Sequence, residues 1–235
     1  AQMRAAMDRD IGQHHRAIQH RSGAGHICLL LHEVRDHALA GVGGRGGADV
    51  GHVIQQRLVR LVPLAPDHAE GWFAAAQATG PEAWAWLSRP FPRTLGDARA
   101  DIGAALAAQE AGTRLPLAQL DAVSGAFLGT TSYYAPDPTV RSVAVGFTWL
   151  TGSVQGRGHN ADSKRQMLEH AFTGMGAEVV IWHTDALNTR SRAAIQNLGA
   201  RHDGVLRHHK RRPDGSVRDT ACFSMLVDEW PAART

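Results

Sequence analysis

The sequence predicts an α/β fold built on a mixed, mostly antiparallel sheet with helices on both faces. Three observations carry that prediction. Residues 115–121 and 126–134 are strand-like stretches joined by a short turn at Val123-Ser124-Gly125. Residues 204–226 form a second hairpin pattern, turning at Pro213-Asp214-Gly215. Between the two hairpins, the apolar runs 142–150 and 178–185 are separated by a helical stretch, as a crossover connection requires. A chain of 235 residues with 43% hydrophobic content can also bury a substantial core.

Taken in order, LVRLVPL (residues 58–64) alternates like a strand, and residues 67–77 carry apolar side chains at helical spacing. Thr94 followed three residues later by Asp97 has the form of a capping box. The helix it opens places Leu95, Ala98, Ile102, Ala105 and Leu106 on one face and ends at Gly112. The first hairpin follows. SVAVGFTWL (residues 142–150) is a third, longer strand. Residues 160–174 are helical with Met167, Leu168, Ala171 and Phe172 inward, and EVVIWHTD (residues 178–185) reads as a nearly continuous buried strand. A helix over 189–198 is stopped by Gly199. The closing hairpin completes the order β-α-α-β-β-β-α-β-α-β-β, with no internal repeat.

Residues 1–57 stand apart. They contain no Phe, Trp, Tyr, Pro or Lys, yet hold seven of the 14 histidines, and GVGGRGG resists any regular element. They read as a poorly ordered extension of unassigned role, with the domain proper at 58–235. The same composition is what a start chosen too far upstream in a GC-rich reading frame would add. His14, His15, His20, His26, His32 and His37 lack the paired spacings of a metal site, so no metal is expected.

The formal charge of +3 is small for this length and argues against wholesale binding to DNA. Two distant cysteines, Cys28 and Cys222, read as reduced thiols rather than a disulfide framework. The apolar run 27–31 is far too short for a membrane span or a signal-peptide core. A cytoplasmic protein is expected.

The chemistry concentrates where the strand 142–150 gives way to the helix after it, through Gln155-Gly156-Arg157-Gly158-His159-Asn160. The first amides of a helix have no intrahelical acceptor and sit at the positive end of its dipole, and glycines let a ligand approach the backbone closely. A phosphate fits such a terminus. The loop is not a Walker loop, because no Gly-Lys-Ser/Thr closes it, and the spacing and ribose-binding acid of a dinucleotide fingerprint are missing.

The spacing Gln155-x-x-Gly158-x-Asn160 resembles the Q/R-x-x-G-x-G/A pyrophosphate loop of the GNAT superfamily of acyl-CoA N-acyltransferases. Asn160 replaces the usual final Gly or Ala, as is common in the RimJ/RimL-like branch. The strand before the loop, TDALNTRSRAAIQNLGA (residues 184–200) and the closing hairpin also look like that branch, so the resemblance covers about residues 58–231. It implies a sheet splayed between 142–150 and 178–185, with the pantetheine arm of acetyl-CoA in the cleft. Main-chain groups of Thr148, Trp149 and Leu150 would pair with that arm like an added strand. Gln155, Gly156, Arg157, Gly158, His159 and Asn160 would hold the pyrophosphate, Asn188 would hydrogen-bond the pantetheine, and Ser191 would protonate the departing thiolate. Asn188 read on its own is a helix N-cap. Arg157, Lys164, Arg165 and Arg192 are the cations available to phosphates; each taken alone reads first as a solvated surface charge, and Arg157 is foremost because it lies within the loop.

The implied reaction is direct attack of a neutral amine on the acetyl thioester in a ternary complex, with a backbone N–H near Leu150 stabilising the oxyanion. Ala144 stands where many members carry a Glu base, and Ile195 where a Tyr acid is often used. Ser191 is then the acid and no base is assigned. Asp185, His183, Ser132, Tyr133, Tyr134 and Asp219 are groups that could act through a water. A site without a strong base suits an α-amino group, with a pKa of roughly 7.7 to 8.0, better than a lysine near roughly 10.4. The expected acceptor is therefore a protein or peptide N-terminus, or a small amine. A catalytically silent acyl-CoA-binding or ribosome-associated module is the alternative. Trp84, Trp86, Trp149, Trp182 and Trp230 read as core or groove wall. The basic run 207–212 reads as a solvated hairpin face, or as a lip for an acidic substrate or ribosomal RNA.

Overall fold

The computed structural model describes residues 57–233 except Ser88 and Pro213. Cys28, the histidines at 14 to 37 and the extension read over 1–57 lie, Arg57 aside, outside the described residues.

Strand β1 (Val59–Pro63) leads through a 3-10 turn into α1 (Ala69–Thr79), and a second 3-10 turn, Pro81–Trp86, precedes α2 (Leu95–Glu110). The Thr94 capping box is present: Thr94 Oγ1 accepts from the Asp97 amide at 3.1 Å, and the Asp97 carboxylate accepts from the Thr94 amide at 2.8 Å. Two otherwise orphaned amides are satisfied at once, a contribution of about 1 kcal/mol. Strands β2 (Arg114–Asp121) and β3 (Phe127–Asp137) form the first hairpin, whose turn is held by Asp121 accepting from the Val123 and Ser124 amides. Then come β4 (Ser142–Leu150), α3 (His159–Glu169) with a π-helical turn at His170–Gly174, β5 (Val179–Asp185), α4 (Thr189–Gln196), β6 (Arg201–Arg211), β7 (Val217–Leu226) and a short α5 (Trp230–Ala233). The π-turn and α5 were not legible in the sequence pattern.

The seven strands form one sheet in the order β1-β2-β3-β4-β5-β7-β6. Every neighbouring pair is antiparallel except β4 and β5, which are parallel. On one face α1 and α2 bury Trp72, Trp84, Ile102, Leu120 and Trp149 in a common core. On the other, Val59, Leu128 and Leu150 cluster with Val154. Helix α3 is fastened to the sheet edge by Asp162, which accepts from the Leu58 and Val59 amides at 2.8 and 2.9 Å, and by Gln166, which donates to the Val59 carbonyl.

The feature that makes a site is the pairing of β4 with β5. It covers only Ser142, Val143 and Ala144 against Val179, Val180 and Ile181. Beyond those residues the strands part. β5 remains paired with β7 along its whole length, so the edges left open by the divergence face each other across a cleft.

Candidate active site

The loop that closes the head of the cleft folds as its glycines dictate. Gly156 has φ +75° and Gly158 has φ +84°, left-handed values that a side chain disfavours, and Gly158 is the N-cap of α3. A Cβ on Gly158 would also sit 3.3 Å from Leu58 Cδ1. Among the described residues, no acceptor takes the amides of Gly156, Gly158, His159 or Asn160, and Gly156 to Gly158 are exposed. The Arg157 amide between them donates to the Val154 carbonyl, and the unpaired amides on either side of it, at an accessible helix N-terminus, fit a pyrophosphate. Arg157 is exposed within this loop.

Gln155 supports the loop from behind. Its Nε2 donates to the Leu150 carbonyl at 2.8 Å, and its Oε1 accepts from Arg190 Nη1 at 2.7 Å. One side chain thus ties the end of β4 to the first turn of α4. Arg190 carries no local signal of this role, because its partner lies 35 residues away. Asn188 caps α4, its Oδ1 accepting from the Ser191 amide at 2.9 Å, and Ser191 is half-buried one turn in.

Along β4, Trp149 O accepts from Gln119 Nε2 at 3.2 Å on the β3 side. Strand alternation then turns the main-chain groups of Thr148 and Leu150 to the open side, where the Leu150 carbonyl is taken by Gln155. Thr148 and Leu150, rather than Trp149, thus present backbone to the cleft. A β-bulge includes Thr148, because Phe147 and Thr148 together oppose Thr131 of β3. Phe147 adopts φ +52°, and its ring lies 3.9 Å beneath the Arg114 guanidinium.

The cations sort by burial. Lys164 is not a surface charge: it is 5% exposed, beneath the bulge, with Nζ 2.5 Å from Thr131 Oγ1 and 2.8 Å from Thr148 Oγ1. Burial pulls its pKa down to about 7. It cannot reach a phosphate at the loop's exposed face. Arg192 is half-buried and donates to the Ala186 carbonyl, and Arg165 is exposed.

The possible proton carriers separate in the same way. Ala144 and Ile195 are buried and inert. Asp185 is buried in a bidentate pair with Arg212, at 2.6 and 3.0 Å. Burial raises its carboxyl pKa, but the Arg212 and Leu187 hydrogen bonds outweigh burial and hold it below the ordinary value. Tyr133 donates to the Met167 carbonyl at 2.6 Å, and burial pushes its phenol far up. Ser132 accepts from Arg114 Nε, and Asp219 accepts from the His208 amide. Tyr134 and His183 remain, in contact with each other: Tyr134 OH lies 3.2 Å from His183 Nδ1. Of the tryptophans, Trp84, Trp149, Trp182 and Trp230 are core, whereas Trp86 is 43% exposed.

A strand pair that splays after three residues, an amide-lined loop at the head of the following helix and a bulged central strand together define an acyl-CoA-dependent transferase. The acetyltransferase (GNAT) domain family matches residues 58–201, and the chain belongs to that family. A T. thermophilus protein assigned to the acetyltransferases is 33% identical with a TM-score of 0.68, over 80% of this chain and 96% of that one. Mycobacterium smegmatis RimJ, solved with CoA-disulfide, is 23% identical with a TM-score of 0.66, over 75% and 86%. RimL, a ribosomal L7/L12 alpha-N-protein acetyltransferase solved with coenzyme A, is 16% identical with a TM-score of 0.64, over 74% and 97%. At those last two identities the likeness is one of fold. Among curated proteins none matches the chain. The protein is an N-acetyltransferase of the GNAT family.

Proposed function

We propose that the protein transfers the acetyl group of acetyl-CoA to the α-amine of a protein or peptide N-terminus, in the manner of the RimJ/RimL-like branch and in the cytoplasm. The observation that carries this reading is the junction of the open β4 edge with the unpaired amides of Gly156, Gly158, His159 and Asn160 at the head of α3. Gln155, Gly156, Arg157, Gly158, His159 and Asn160 form the pyrophosphate seat, and the main-chain groups of Thr148 and the Leu150 amide, whose carbonyl is held by Gln155, take the pantetheine arm. Asn188 and Ser191 stand at the opposite wall. The negative charge that develops on the acetyl oxygen faces amides fixed in place by the bulge, where preorganised donors lower the barrier most. Ser191 supplies the proton to the departing sulfur.

The α-amine is favoured over lysine because Ala144 and Asp185 leave no strong carboxylate base. An amine already partly neutral at physiological pH needs the least help. RimL's own description as an alpha-N-protein acetyltransferase points the same way. The basic strand β6 is exposed along nearly its whole length and offers Arg207, Lys210 and Arg211 as a lip for an acidic or ribosomal partner. Thiol release from acetyl-CoA, measured across peptides with free N-termini and a set of small amines, tests the reading. Faster turnover with peptides is expected. Turnover with small amines alone would shift the acceptor class, and binding of acetyl-CoA without thiol release in any mixture would favour a silent acyl-CoA-binding module.

A further inference from the structure

A base is still missing from this site, and one pair of side chains stands where a base must be. The last residues at which β4 and β5 pair are Ala144 and Ile181. Two residues further along each strand are Gly146 and His183. Tyr134 of β3 lies across β4 at Gly146, so closely that a Cβ there would meet the tyrosine ring at 2.8 Å. Its hydroxyl then reaches His183 Nδ1 at 3.2 Å. The pair bridges the two strands at the point where they diverge, and His183 is exposed there.

We propose that His183 is the catalytic base of the acetyl transfer and that Tyr134 is its positioning residue. The inference rests on the acetyl-transfer reading given above. With Nδ1–H donated to the Tyr134 oxygen, the lone pair of His183 sits on Nε2, which has no hydrogen-bond partner among the described residues. The amine nitrogen forms its bond to the acetyl carbon and yields a proton to Nε2, directly or through one water. The C–S bond breaks, and the sulfur takes a proton from Ser191. The proton held on His183 returns through solvent to Ser191, so the reaction closes with one amide and one thiol.

The surroundings keep the imidazole ready to accept. Partial desolvation of the ring against its neighbours first, then Lys210 and His209 of β6 and Arg218 of β7, hold its pKa below the ordinary 6.5. Burial raises the Tyr134 phenol, with Cys222 of β7 adding to the rise and Arg218 opposing it, so the hydroxyl stays protonated. His209 faces His183 with ring centroids 6.4 Å apart, but its Nδ1 is engaged with Thr220 Oγ1 at 3.1 Å.

The test is the pH dependence of thiol release with a short peptide bearing a free N-terminal alanine, supplemented by small amines if that peptide is not acetylated. The wild type is expected to show an acid limb set by one group below 6.5. His183→Asn and His183→Gln should abolish that limb and lower kcat on the order of a hundredfold. Acetyl-CoA affinity and melting temperature should be unchanged, and added imidazole should restore part of the rate. Tyr134→Phe should keep the limb, displaced, with reduced kcat. A limb that survives in both His183 variants, or that disappears in His209→Asn instead, overturns the assignment while leaving acetyl transfer intact. Absence of thiol release from the wild type with every amine would remove the acetyl-transfer reading, and this inference with it.

Discussion

Single residues of the candidate site are held in conformations that side chains disfavour. At Gly158 three constraints coincide: a left-handed φ, the helix N-cap, and a Leu58 methyl 3.3 Å from where a Cβ would stand. Gly158→Val should therefore weaken acetyl-CoA binding by at least about tenfold, that is about 1.4 kcal/mol, read by calorimetry. Unchanged affinity would place the pyrophosphate elsewhere. If Ser191 protonates the leaving thiolate, as proposed, Ser191→Ala should lower kcat with little change in acetyl-CoA affinity. Equal kcat in the variant would remove it as the acid. At this scale the loop was legible, because glycine spacing at a strand-to-helix junction is a property of adjacent residues. Arg190 on Gln155 and Tyr134 on His183 were not legible, since each contact joins residues far apart in the chain.

Elements matter here through what they bury. The pattern placed a helix after the loop but left Lys164 among the surface charges, since a lysine in an otherwise polar helix carries no local sign of burial. In the fold, α3 carries it beneath the β4 bulge, against Thr131, Thr148 and the Met167 sulfur. Its folded pKa is lowered to about 7, while the unfolded lysine titrates near about 10.4. Between those values the unfolded chain binds more protons, so stability contributed at this position rises with pH across that window; below about 7 both states are protonated and the burial penalty is complete. Urea unfolding at neutral and alkaline pH should show that rise in the wild type and lose it in Lys164→Met, the difference reaching at most about 1.4 kcal/mol per pH unit. Parallel slopes in the two proteins would mean that Lys164 stays charged. The capping box of α2 shows the opposite case, in which a four-residue signal is complete in itself and appears in the fold as read.

For the whole molecule, the family match begins at residue 58, where the composition changes abruptly and where the Leu58 and Val59 amides anchor on Asp162. A chain shortened to begin at Gln56 should keep the full-length melting temperature and acetyl-CoA affinity, and a loss of either would assign the residues before it a structural part. The sequence by itself determined the order and kind of the main elements, the place of the glycine turn that heads α3 and the absence of the usual carboxylate and tyrosine from positions 144 and 195. Each follows from neighbouring residues, through periodicity, turn chemistry and motif spacing. The splay between β4 and β5 was implied by the resemblance, but only the tertiary structure decided where it begins, after Ala144 and Ile181, that Lys164 lies inside, that Asp185 is held by Arg212, and that Tyr134 meets His183 at the divergence. Those are consequences of strand order and register, which bring distant residues together, and no local pattern encodes them.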